Sequence, residues 1–288
     1  MRLLVLLAVA ASACAQPAPD TPKPDADGAA DARRQQRADS VVGRRAGPPP
    51  AADTLAVAVG ETPVRVAVHA LPGASGVSML NLHDDEGTSV EAALDVARER
   101  GGRVVEVVHT GDRNLAFAVG GRAYTADPNR VFTDAGRRRT LAPGPDPAAL
   151  DALAAFADTV LAVYAAVPTP VVVTLHNNTA DGYSARSYAP GAKYAADAAA
   201  VTVRPGTDPD DFFFVTDRAL YDALVAEGFN AVLQDNAAAT DDGSLSVWAA
   251  RAGVPYVNVE AQHGHRAEQA RMVRALLDVL DRRPAAGR

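Results

Sequence analysis

Short apolar runs alternate along this chain with longer stretches whose apolar positions recur at helical spacing. Residues 64–70, 77–82, 104–109, 170–175, 212–215, 230–234 and 254–259 read as strands, because Val, Leu and Phe dominate them and turn residues bound them. Residues 114–119 and 122–126 flank Gly120-Gly121 and predict a hairpin, since glycine supplies the backbone freedom of a tight turn. Thr88 with Glu91 three residues on fits a capping box, opening a helix that stops at Gly101-Gly102. Asp146-Pro147 opens an alanine-rich helix to about residue 166, and Asp217 caps one that ends at Gly228. Residues 245–252 and the amphipathic 266–282 complete the helices. Strands separated by helices, with few runs of alternating polarity, predict an α/β fold: a mostly parallel mixed sheet covered by helices on both faces. No internal repeat is visible.

The pattern differs before residue 55. Arg2, the apolar run Leu3 to Ala11 and the small Ser12 and Ala13 have the layout of a secretory signal. Cys14 follows at the position of a bacterial lipobox cysteine, which is lipidated after cleavage; an ordinary signal peptide with an incidental cysteine is the alternative. Residues 15–54 place prolines among Ala, Asp and Arg with almost no large apolar side chain. Such a segment cannot bury enough surface to offset its ordering entropy, so it reads as a tether. The expected organisation is a signal peptide at 1–14, the tether, one α/β hydrolytic domain at 55–284 and a tail at 285–288. The expected location is exported, in the cell envelope or periplasm, as a monomer that meets the membrane only through a lipid on Cys14.

Composition narrows the function classes. Of 288 residues 48% are hydrophobic, enough for a sizeable core. The net charge of −7 argues against nucleic acid as a partner, since such proteins present a basic surface to the phosphates. A single cysteine excludes an internal disulfide framework and a cysteine-rich metal site. No Gly-x-Ser-x-Gly elbow and no phosphate-binding glycine loop occurs, which disfavours a serine hydrolase and a nucleotide enzyme. No apolar run after residue 20 approaches the ~18 residues that span a bilayer.

In open α/β sheets, ligands bind beyond the carboxyl ends of the strands. The polar residues there are His83-Asp84-Asp85-Glu86 after 77–82, Asp127-Pro128-Asn129-Arg130 after the hairpin, His176-Asn177-Asn178 after 170–175, and Glu260, Gln262, His263 and His265 after 254–259. His83, Glu86 and His176 form a candidate metal site. Two imidazoles and one carboxylate are a common catalytic zinc donor set, and imidazole favours zinc over magnesium. Such an ion lowers the pKa of water towards ~7 and polarises carbonyls. His83 taken alone reads as a helix-start histidine beside a capping carboxylate; the ordered set is what points to a metal.

That ordered set resembles the zinc carboxypeptidase superfamily, including the succinylglutamate desuccinylase and aspartoacylase group. His83-x-x-Glu86 resembles the first two zinc ligands and His176 the third. Asn129-Arg130, within Asp-Pro-Asn-Arg-Val-Phe, resembles the pair that holds the substrate carboxylate. Gly243-Ser244, Trp248-Ala249 and Pro255-Tyr256 resemble the helix and strand leading to the general base, and Glu260 resembles that base. The matches span residues 77–265. Asp84-Asp85 departs from the glycine usual after the first ligand in the desuccinylase group.

The resemblance implies a zinc-dependent hydrolase that cleaves an amide bond next to a free carboxylate in a peptide or small molecule. Alternatives are an N-acyl amino-acid deacylase and a non-catalytic envelope binding lipoprotein. Glu260 would take the proton of water, with Val257, Val259 and Trp248 as its apolar wall. Arg130 and Asn129 would bind the carboxylate; a turn after Pro128 is the plainer reading of that pair. Arg113 is the first choice to meet the oxyanion and Arg122 the second, a surface hairpin arginine being the alternative for Arg113. Asp84 or Asp85 is a candidate partner of a ligand histidine. Asn177 and Asn178 could orient His176 or bind substrate, and Tyr183 and Tyr188 could cover the site. His263 and His265 resemble a spare metal pair or line the cleft, whereas His69 and His109 read as structural.

Overall fold

The computed structural model describes residues 52–283. The expected signal peptide with Cys14, the tether as far as residue 51, and residues 284–288 lie outside them. In chain order the elements are β1 (Asp53–Val59), β2 (Thr62–Leu71), β3 (Ser78–Asn81), α1 (Gly87–Arg100), β4 (Gly102–Val108), the hairpin β5 (Leu115–Val119) and β6 (Arg122–Ala126), α2 (Asp134–Thr140) and α3 (Pro147–Tyr164). Then follow β7 (Val172–Asn178), β8 (Ala198–Thr202), β9 (Phe212–Val215), α4 (Arg218–Ala226), β10 (Asn230–Gln234), α5 (Leu245–Arg251), β11 (Tyr256–Gln262) and α6 (Arg266–Arg282).

Nine strands form one mixed sheet in the order β1-β2-β4-β3-β7-β11-β9-β10-β8, and the hairpin stands apart from it. The block β4-β3-β7-β11 is parallel. Because side chains alternate along a strand, each apolar run serves two cores. Val173, Leu175, Val257 and Val259 pack with Leu94, Leu220, Val273 and Leu276 of α1, α4 and α6. Val172, Tyr256, Phe212 and Phe214 share the other core with Leu153 and Phe156 of α3 and Leu245 of α5. The α/β reading with helices on both faces therefore holds. α3 is long and apolar enough to cross a membrane. Here it carries Asp151 and Asp158 and buries Leu153, Phe156 and Val160 in the core.

Several details differ from expectation. β1 begins at Asp53, and β1 and β8 are edge strands that no strong apolar run announced. The Thr88–Glu91 capping box does not form. Glu86 caps α1 without a side-chain bond, Thr88 Oγ1 accepts from Gly264 N at 3.1 Å, and Glu91 Oε2 accepts from Arg266 Nη1 at 2.8 Å. Those two side chains are thus spent on joining α1 to the start of α6. β7 and β11 run further than expected, through His176 and Glu260, because their polar residues find partners. Gln269 of α6 is fully buried behind them. Its Nε2 donates to His176 O and Val259 O at 2.9 and 3.1 Å, and its Oε1 accepts from Asn177 Nδ2 at 2.9 Å.

One backbone contact sets the rim of the cavity described below. A methyl on Gly136 would lie 2.2 Å from the Gly243 Cα, and one on Gly243 would lie 2.3 Å from the Arg130 carbonyl oxygen. Gly243 also has φ +87°, a conformation side chains rarely adopt. This approach lets Phe132 N donate to Gly243 O at 3.0 Å and Leu245 N to Asn129 Oδ1 at 3.2 Å, seating α5 on the 129–130 turn. Gly243→Ala is expected to cost about 3 kcal/mol in urea unfolding, from overpacking of ~1–3 and left-handed strain of ~1–2 kcal/mol. A cost below ~1 kcal/mol would show that this backbone yields freely.

Candidate metal centre

The carboxyl ends of β3, β7 and β11 lie side by side, where the chain's course across the sheet reverses. The turn after β3 contributes His83 and Glu86, and β7 contributes His176. Glu260 of β11 is the register partner of His176, so both project to the face that carries Phe212.

His83 Nδ1 lies 2.8 Å from Glu86 Oε1, and His176 Nδ1 lies 2.8 Å from Glu86 Oε2. The two Nδ1 atoms are 3.1 Å apart. All three side chains are buried, and each offers one ligand atom within 4.8 Å of the others. The residues expected as ligands are thus together, and the group could hold a metal ion. His83 Nε2 lies 2.8 Å from Asp127 Oδ1, which holds the ring so that its Nδ1 faces the group. Asn129 Nδ2 lies 3.4 Å from His176 Nε2. Two imidazole nitrogens and a carboxylate aimed at one dry point fit a divalent cation.

The electrostatics agree. Burial opposes a charge on His83, but the carboxylates of Glu86 and Asp127 overcome it and push the imidazole up to about 9. Burial would raise Glu86, yet the two imidazoles hold it well below the usual carboxylate range. Against burial, His83 and Arg113 likewise hold Asp127 low. These carboxylates demand positive charge at their centre. Asp127→Ala is expected to weaken metal affinity by about 10–100-fold, read by competition with a chelator. An unchanged affinity would mean that His83 is oriented by something else.

Asp127 replaces the expected partners Asp84 and Asp85. Asp84 Oδ2 accepts from His109 N and Gly111 N, both at 2.7 Å, and so shapes the loop after β4. Asp85 lines the cavity beside Glu86, and burial pushes its carboxyl up. The motif around Asn129 contained the signal for Asp127: its Oδ1 also accepts from Asn129 N at 2.8 Å, as an Asp before a Pro-initiated turn does.

Glu260 is buried, and Asn258 Nδ2 donates to its Oε2 at 2.8 Å. Burial pushes its carboxyl up to about 8, and the neighbouring negative charge of Glu86 adds to the rise. The apolar wall is not the expected one. Val257 and Val259 face the opposite core, one strand step out of phase with Glu260, and Trp248 packs half-buried against the core of Phe212 and Tyr256, outside the cavity lining. Phe212, Tyr256 and Tyr183 lie on the Glu260 side instead. Tyr183 and Tyr188, for which a surface loop was the plainer reading, stand in the cavity wall with their hydroxyls 2.6 Å apart.

A cavity of about 650 Å³ opens on this group. Arg113 lines it and donates to Glu86 Oε1 at 2.7 Å. Arg122 is exposed on β6 with its guanidinium 5.3 Å over the Tyr124 ring, so of the two candidate arginines only Arg113 is at the site. Asn129 and Arg130 line the cavity. Arg130 Nη1 donates to Asn129 O at 2.8 Å, and its Nε lies 3.3 Å from Asp242 Oδ2. Asn177 is committed to Ser89 N, Ala261 O and Gln269, a structural role. Asn178 donates to Asp210 O at 2.7 Å. The histidines after β11 do not act as a pair: His263 lines the cavity, whereas His265 Nδ1 faces Asp211 Oδ2 at 2.9 Å. His265, Asp208 and Asp211 form a second, more exposed group of metal-ligand type.

No protein-family model matches the sequence, and no curated protein matches it. Solved structures do. A metallo-carboxypeptidase from Burkholderia cenocepacia is similar with TM-score 0.41 and 15% identity, covering 90% of this chain and 70% of that one. The murein-tripeptide amidase MpaA from Escherichia coli has TM-score 0.41 and 15% identity, covering 84% and 96%. A succinylglutamatedesuccinylase/aspartoacylase from Rhodobacter sphaeroides has TM-score 0.40 and 16% identity, covering 80% and 65%. These neighbours include both groups that the sequence motifs resemble.

Proposed function

We propose that this protein is a zinc-dependent hydrolase that cleaves an amide bond next to a free carboxylate. The observation that carries this reading is the convergence of two imidazole nitrogens and the Glu86 carboxylate beside Glu260, in a cavity that also holds Asn129 and Arg130. Zinc held by His83, Glu86 and His176 would supply Lewis acidity, polarising a carbonyl and acidifying water.

The chain's own groups supply the rest. The Arg130 guanidinium can take a terminal carboxylate in a two-pronged bond, and Asn129 can add a third donor. That grip fixes the scissile amide relative to Glu260, converting an encounter into an oriented reaction. Arg113 faces the negative charge that develops on the amide oxygen; one such donor is worth ~10²–10³ in rate. Glu260 takes one proton from water as the water oxygen bonds to the acyl carbon. It passes that proton to the amine nitrogen as the carbon–nitrogen bond breaks. Burial raises its affinity for the proton, and a bound cation would lower that affinity and favour the carboxylate that accepts from water. Tyr183 packs edge-on against Tyr188 and Phe212 beside this point.

The test is hydrolysis of a library of peptides and N-acyl amino acids by the zinc-loaded protein, with and without a chelator. Cleavage restricted to substrates with a free carboxylate, and lost with the metal, is the expected result. Cleavage indifferent to both would overturn the reading.

A further inference from the structure

The cavity reaches well past the reacting groups. Leu233 of β10 pairs with Val215 of β9, and Val215 pairs with Val257 of β11. Gln234 therefore stands level with Tyr256, four residues or about 13 Å back from Glu260 along β11, and two strands or about 10 Å across the sheet. Val232, two residues earlier, packs in the core of Phe214, so Gln234 projects to the cavity face. It is only 4% exposed and lines the cavity.

Its amide has a fixed orientation. Asn236 Nδ2 donates to Thr216 O at 2.9 Å, and a carbonyl can only accept, so the Asn236 Oδ1 must point the other way. That Oδ1 accepts from Gln234 Nε2 at 3.1 Å. Gln234 Oε1 is left with no hydrogen-bond partner among the described residues. An acceptor so placed on a nearly buried side chain is a recognition element when a ligand supplies the donor. Phe214 lines the same cavity.

We propose that Gln234 Oε1 reads the far end of the substrate's side group and accepts an N–H from it, so that the site selects a residue with a long side chain ending in a carboxamide. The carboxamide N–H meets Gln234 Oε1. A carboxylate would set two acceptors face to face, an apolar end would leave the acceptor unpaired, and an ammonium would trade its hydration for one neutral acceptor. The residue concerned is the one whose carboxylate Arg130 holds, because α5 sits on the 129–130 turn and its Ser246 and Val247 line the same cavity as Gln234. This assignment rests on the hydrolase reading given above.

The experiment uses four peptides that differ only in the carboxyl-terminal residue: glutamine, glutamate, lysine or norleucine. Specificity is read as kcat/KM, and binding is read by calorimetry on the zinc-loaded Glu260→Gln protein. The natural protein is expected to favour glutamine over norleucine about tenfold, and over glutamate by at least as much. Gln234→Leu is expected to bring the glutamine-to-norleucine ratio to about one. Gln234→Glu keeps an acceptor, retains that ratio and gains on lysine, so it decides the matter even if Gln234→Leu fails to fold. A ratio unaltered by Gln234→Leu, or a natural preference for glutamate or norleucine, overturns the proposal. Turnover without this discrimination removes the role of Gln234 alone. Discrimination in binding without turnover removes the hydrolase reading alone, and no binding of any peptide removes both.

Discussion

Glu260→Gln is expected to leave one metal ion bound per chain while lowering turnover about 10²–10⁴-fold, the usual contribution of a positioned proton carrier. The substitution changes little else. Glutamine has the same shape, and its oxygen can still accept from Asn258 Nδ2, which now lies 2.8 Å from the carboxylate. The buried position already disfavours the charged form, so a neutral side chain there does not weaken the fold. Loss of activity with an unchanged melting temperature and metal content isolates the proton step. Turnover within twofold of the natural protein would remove Glu260 from the mechanism.

His176→Ala is the second large effect. A three-donor group loses one of its two imidazoles, and metal analysis is expected to find little bound ion. In the natural protein, an ion at a thousandfold its Kd adds about 4 kcal/mol to stability. For a domain of this size that raises the melting temperature by roughly 10 °C. The variant should show almost none of this rise, and a chelator should make the natural protein resemble it. A variant that keeps the full rise would place the ion elsewhere, for instance at the exposed group of Asp208, Asp211 and His265.

Much of this architecture was legible in the sequence, for identifiable reasons. The buried strands β7, β9, β10 and β11 are short and rich in β-branched or aromatic residues, and the caps at Asp146 and Asp217 accept from backbone N–H groups as expected. Their signals are local. That His83, Glu86 and His176 would meet was legible because groups of metal-donor type stood at strand ends, and the structure brings these three together. What escaped depended on distant partners. Thr88 and Glu91 have the spacing of a capping box, but α6 takes both side chains. Val257 and Val259 suit the wall of Glu260 only if the strand stops before the glutamate; with Glu260 inside β11, its neighbours in sequence face away. Gln234 gave no signal, since an amide at a strand end becomes informative only when its hydrogen bonds are known.

The placement of Gln269 has a practical consequence for anyone altering this protein. A single amide on the back of the sheet ties the strand of His176 to the strand of Glu260, although it stands outside the cavity lining. Exchanging it for leucine would preserve volume while letting β7 and β11 slide, and a displacement near 1 Å suffices for a loss of ~10² in rate. A search for inactivating changes confined to the walls of the cleft would overlook the position that keeps its two halves in step.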